Sequence, residues 1–128
     1  MSENIPYEEE KKAIEKLKKN FNYFKNEDYE LDDKGHVIKI NLNDKGVNGI
    51  HDFLKVFSYL EDLDLGNPKD PFVQNAINKI ENLDNLHHLK KLNLVKNEID
   101  RIQGIENLKN LKYLNLGYNW IAEIQRLD

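Results

Sequence analysis

The sequence predicts an α/β repeat fold: one amphipathic helix, then a stack of short strands whose chain returns each time along the outer side. Three observations carry this. Asn75, Asn97 and Asn119 recur at intervals of 22 residues. Apolar residues keep phase with them: Ile77, Ile99 and Ile121 follow by two, Ile80, Ile102 and Ile124 by five, and Leu83, Ile105 and Leu127 by eight. Ahead of the repeats, Ile14, Leu17, Phe21 and Phe24 form the apolar stripe of a helix over residues 6–24. A period of 22 belongs to no single helix or strand, so the repeating object is a supersecondary unit that buries its apolar face only by stacking on its neighbours.

The elements follow in order. Pro6 suits a first helical turn. Glu8, Glu9 and Glu10 sit at the positive end of the dipole, with Lys16, Lys18 and Lys19 towards the other. The stripe is expected to pack on the first repeat as an N-terminal cap. Residues 25–36, with Asp28, Asp32, Asp33 and Gly35, read as a linker and turn, so 1–36 form cap and linker and 37–128 the repeats. The first repeat runs through Val37, Ile40, Leu42, Val47, Ile50, Leu54 and Phe57, but carries Lys45 where the asparagine belongs, which puts its turn geometry in doubt. The second begins with Leu60, Leu63 and Leu65. Its asparagine arrives ten residues after Leu65 instead of three, so seven residues, near Gly66 to Phe72, are inserted. Pro68 and Pro71 cannot donate to a sheet ladder, which makes this insertion a projecting loop.

The third and fourth repeats are complete in their central part. Leu89-Lys-Lys-Leu92-Asn-Leu94-Val-Lys-Asn97-Glu-Ile99 resembles the leucine-rich-repeat motif, and Leu111-Lys-Tyr-Leu114-Asn-Leu116-Gly-Tyr-Asn119-Trp-Ile121 repeats it. The length of 22, with Ile-x-x-Ile-x-x-Leu after the asparagine, is similar to the subclass found in phosphatase-regulatory repeat proteins. The resemblance covers roughly residues 75–128. It implies a leucine-rich-repeat solenoid with an N-terminal helical cap and a short parallel concave β-sheet, of about four repeats, the last truncated. It further implies that Asn75, Asn97 and Asn119 form a buried structural ladder, each side chain bonded to backbone groups left unpaired at a turn.

Composition narrows the function. The 19 basic and 23 acidic residues leave a net charge of −4, with the lysines spread along the chain, which is no nucleic-acid footprint. Without cysteine there are no disulfides or thiolate metal ligands, and with no threonine and only Ser2 and Ser58, no nucleophile sits beside a base. No signal-like or membrane-length apolar run is present, and a cytoplasmic protein with no membrane partner is expected. His36, His51, His87 and His88 lack zinc spacing. Asp62-Leu-Asp64-Leu-Gly66 starts like a calcium loop, but Val73 stands where its bidentate glutamate would be. No metal, cofactor or enzymatic activity is expected; a metal-dependent hydrolase using Asp62 and Asp64 is the remote alternative.

Binding of a partner protein is the expected role. Residues between the inward leucines alternate to the concave side: Lys39 and Asn41, Asp62 and Asp64, Lys91 and Asn93, Tyr113 and Asn115, with Tyr118 and Trp120 on the rim. Exposed tyrosine and tryptophan favour interface anchoring, although Trp120 could equally cover the end of the core. The apolar end formed by Leu116, Ile121, Ile124 and Leu127 is expected to meet a second copy in a homodimer, or a following repeat if the chain is a segment of a larger structural or regulatory repeat protein.

Overall fold

The computed structural model describes residues 7–68 and 74–121, without the side chain of Phe53. The tip of the insertion and the end residues Ile124 and Leu127 lie outside the described residues.

Helix α1 spans Glu8–Asn20 and ends earlier than the apolar stripe suggests. Phe21 leaves it at φ −127° and ψ 99°, its N–H still bonded to the Leu17 carbonyl. Asn20 and Asn22 are weak helix formers, and the stripe is completed without helix: Phe24 turns back through a bond from its N–H to the Phe21 carbonyl and is buried. Ala13, Ile14 and Leu17 join it in the core. The periodicity did not foresee Glu10, which is buried although charged. One oxygen of its carboxylate accepts the Val37 N–H at 2.7 Å and the other meets His36 Nδ1 at 2.9 Å. This carboxylate ties the helix to Val37, where the strand Val37–Asn41 begins. Glu10→Ala is therefore expected to cost about 2–3 kcal/mol, because a charge-assisted bond is lost and a buried N–H is stranded. A urea midpoint that does not move would refute the role.

The segment read as linker and turn holds the turn and also an additional strand. After a 3-10 turn at Asn26–Asp28, strand β1 (Tyr29–Leu31) runs antiparallel to β2 (Val37–Asn41), with Glu30 opposite Lys39. Asp32 closes the hairpin: its Oδ1 accepts the N–H groups of Lys34 and His36, and Gly35 takes a left-handed φ of 91°. Strands β3 (Asp62–Asp64), β4 (Lys91–Asn93) and β5 (Tyr113–Asn115) continue in sequence order, all parallel to β2.

The register is constant. Ile40, Leu63, Leu92 and Leu114 are successive partners, as are Lys39, Asp62, Lys91 and Tyr113. The step from β3 to β4, which contains the insertion, keeps the alignment of the insertion-free step from β4 to β5. The first three central residues are fully buried and Leu114 half-buried. Behind the sheet, Val47, Ile77 and Ile99 and then Ile50 and Ile80 stack as buried columns.

Three asparagines join the repeats by matching bonds. Oδ1 of Asn75, Asn97 and Asn119 accepts the N–H of Val47, Ile77 and Ile99 of the preceding repeat. Their Nδ2 groups donate backwards to the carbonyls of Leu42, Leu65 and Leu94, and within their own repeat to those of Leu65, Leu94 and Leu116. Asn75 makes these bonds from beyond the insertion. Asn67 holds it there: its Oδ1 accepts the Asn75 N–H, and its Nδ2 donates to the carbonyls of Asn75 and Lys96, each at 2.8 Å. Gly66 and Asn67 are thus buried in the body of the fold, and the insertion begins later than its sequence count suggests. The doubtful first turn also closes. Asp44 takes φ 52°, as Lys96 and Tyr118 take 60° and 56° at the same repeat position, and Lys45 donates its N–H to Asn75 Oδ1.

Candidate binding face

The sheet buries its central residues, and the flanking residues face outward in two rows whose members are cross-strand partners. One row is Glu30, Lys39, Asp62, Lys91 and Tyr113. The other is Asn41, Asp64, Asn93 and Asn115. The structure brings all eight strand residues singled out in the sequence onto this face, and separates them by role.

The second row is engaged in closing turns. Oδ1 of Asn41, Asp64, Asn93 and Asn115 accepts the N–H two residues on, from Asn43, Gly66, Val95 and Gly117 respectively, at 2.9–3.1 Å. These are Asx turns, which explains why only Asn and Asp occupy the position. Asp64 Oδ1 also accepts from Asn93 Nδ2 at 3.0 Å. One oxygen of each of these four side chains thus holds its own strand end. A Cβ at Gly66 would lie 2.7 Å from Val95 Cγ1, so a side chain there would displace Val95.

The first row is left free of such bonds. Lys39 pairs loosely with Glu30 at 3.6 Å, and next to the row Lys90 pairs with Glu61 at 3.6 Å, both exposed contacts of small energetic weight. Asp62 has no hydrogen bond or ion pair among the described residues. It lies in a depression between Lys39 and Lys91, edged by Glu61 and Lys90. Burial pushes its carboxyl above the usual range, while Lys39 and Lys91 pull it back and Asp64 and Glu30 add to the rise. A carboxyl raised in this way favours the native state when protonated. Its contribution is present at acid pH and is lost as pH rises through its native value, so ionised Asp62 costs stability at neutral pH.

At the β5 side the face becomes aromatic. Tyr113 is half exposed, Tyr118 is 81% exposed and Trp120 65% exposed. Tyr118 holds its ring out from a left-handed backbone, unusual for a bulky residue, with Lys96 Nζ 5.8 Å from the ring centroid. The backbone N–H of Trp120 donates to the Ile99 carbonyl. The Trp120 side chain is not among those packed against the core of the described residues.

Residues 87–128 match the family model described as Leucine Rich repeats (2 copies). The matched segment includes β4, β5, Asn97 and Asn119, whose spacing and bonds recur in the geometry above. No curated protein matches the chain. The match supports a leucine-rich-repeat, α/β repeat architecture; such domains generally mediate protein–protein contacts and are typically non-enzymatic.

Sequence reasoning missed a second set of aligned side chains. Tyr7, His36, Tyr59 and His88 form a stacked column with ring centroids 4.2, 3.8 and 5.4 Å apart. His36, Tyr59 and His88 each directly precede the first apolar residue of a repeat, Val37, Leu60 and Leu89. That phase was visible in the sequence, but the three differ in residue type and gave no consensus. Among the described residues, no group of three or more histidines and carboxylates is placed to hold a metal ion, and no helix is long and apolar enough to cross a membrane.

Proposed function

We propose that this chain is a non-catalytic protein-interaction module, a leucine-rich-repeat solenoid that binds a partner protein on the concave face of its sheet and on the aromatic edge beside it. The observation that carries the reading is the contrast between the two rows. Asn41, Asp64, Asn93 and Asn115 bond their own backbone, while Lys39, Asp62, Lys91 and Tyr113 present unsatisfied or weakly paired groups in register. A partly desolvated carboxylate with no bonded partner among the described residues lowers stability, and such costs collect where binding takes place. The exposed Tyr113, Tyr118 and Trp120 supply large rigid surfaces of the kind that dominate interfaces.

Photocrosslinking tests this. A photoreactive residue replacing Tyr113 is expected to trap a discrete adduct in the source cell. The same residue replacing Lys79, exposed in the return segment behind the sheet, is expected to trap none. An adduct from position 79 with none from 113 would move the interface off this face.

A further inference from the structure

The proposed binding face has an order of charge as well as a position. Across β3, β4 and β5 the free row reads anion, cation, aromatic: Asp62, Lys91, Tyr113. We propose, building on the concave-face reading above, that the partner segment is an α-helix lying across the strands, with a basic residue over Asp62, an acidic residue over Lys91 and an apolar residue over Tyr113 at successive turns.

The spacing favours a helix. Neighbouring strands stand about 4.8 Å apart, and a helix repeats one face about every 5.4 Å. An extended strand repeats one face about every 6.7 Å and falls out of step within the row.

Charge sets the order. Asp62 lies in the depression with no bonded partner among the described residues, so it is the strongest unmet acceptor of the row. An arginine fork suits it best. Asp64 lies two residues along the same strand and has only one oxygen committed, to the Gly66 N–H and Asn93 Nδ2, so both carboxylates can meet the donors of one guanidinium. Lys39, on the other side of Asp62, already has Glu30 at 3.6 Å and asks less of a partner. Lys91 has no ion pair within 4 Å among the described residues and is the free cation of the row. Reversing the order would set an arginine against Lys91 and a glutamate against Asp62, and like-charge contacts of this kind decide specificity more than affinity.

Two designed helical peptides of identical composition test the proposal on the intact chain. One carries arginine, glutamate and leucine at successive turns; in the other, arginine and glutamate are exchanged. Fluorescence anisotropy of the labelled peptides at low salt is expected to show the first binding at least about tenfold more tightly, since exposed charge contacts are strongest where screening is least. Asp62→Lys combined with Lys91→Glu is expected to invert the preference, an outcome that loss of folding cannot mimic. Asp62→Asn is expected to bring the two affinities together while leaving the neutral-pH urea midpoint equal or higher, which a merely structural carboxylate would not do. Equal binding of both peptides to the native chain, or binding of neither, overturns the charge-ordered helix. The crosslink at position 113 depends on neither peptide and judges the face separately.

Discussion

Asn75→Ala is expected to lower the unfolding free energy by about 3–5 kcal/mol, more than the same change at Asn97. The difference follows from which backbone groups have a second partner. Asn75 is the one bond seen for the Val47 N–H and for the Leu42 carbonyl among the described residues, at 2.7 and 2.8 Å. The Leu65 carbonyl would keep Asn97 Nδ2 after Asn75 is truncated. Two buried groups are therefore stranded, at about 1–3 kcal/mol each, and the part-buried Lys45 N–H loses its acceptor as well. Asn97→Ala strands the Ile77 N–H, but the Leu94 and Leu65 carbonyls retain Asn119 and Asn75. Its cost is expected to be about 1–3 kcal/mol. Single domains are stable by about 5–15 kcal/mol, so the loss at position 75 consumes a large share. Urea unfolding of both variants gives the comparison. Equal losses would show that the bonds are not shared as described.

The contrast between these asparagines also shows what can be read in the chain. Their spacing is visible in the sequence because stacking demands the same residue at the same height in successive repeats. Leu92 and Leu114 are legible as sheet interior for the same reason. The second row on the open face was visible as Asn or Asp between leucines, but its use was not. An Asn facing solvent in a pattern and an Asn closing an Asx turn look alike until the N–H two residues on is seen within 3.1 Å. Strand β1 was obscured because residues 25–36 are rich in charged residues and carry no period; pairing with β2 decided the conformation of Tyr29–Leu31. Glu10 was obscured because an acidic residue in a first helical turn has a sufficient local explanation in the dipole. Its burial depends on Val37, 27 positions away. Local pattern reports what repeats, and contacts made once across the chain leave no period to read.

The other large effect is expected at Gly104, where two repeats meet through backbone. Gly104 takes φ +76°, and an added Cβ would stand 2.4 Å from the Ile80 carbonyl oxygen of the repeat before it. The corresponding residue one repeat earlier, 22 positions back, is Asn82 at φ 64°. There Nδ2 donates to the Ile50 carbonyl at 2.7 Å, so a polar side chain occupies the approach to the preceding repeat. At Gly104 the approach is direct, and a backbone oxygen cannot rotate aside as a side chain can. Gly104→Ala therefore adds a left-handed penalty of about 1–2 kcal/mol to an overpacking cost of about 1–3 kcal/mol. A loss of about 2–5 kcal/mol is expected. Gly49→Ala is the control: nothing lies within 4 Å of its added Cβ and its backbone is not left-handed. There the change should be under about 1 kcal/mol and in the stabilising direction, because the unfolded chain loses freedom. Denaturant midpoints of the two variants at unchanged m-value test the argument, and a Gly104→Ala chain as stable as Gly49→Ala would mean that the repeats stand farther apart at this turn than the 2.4 Å approach requires.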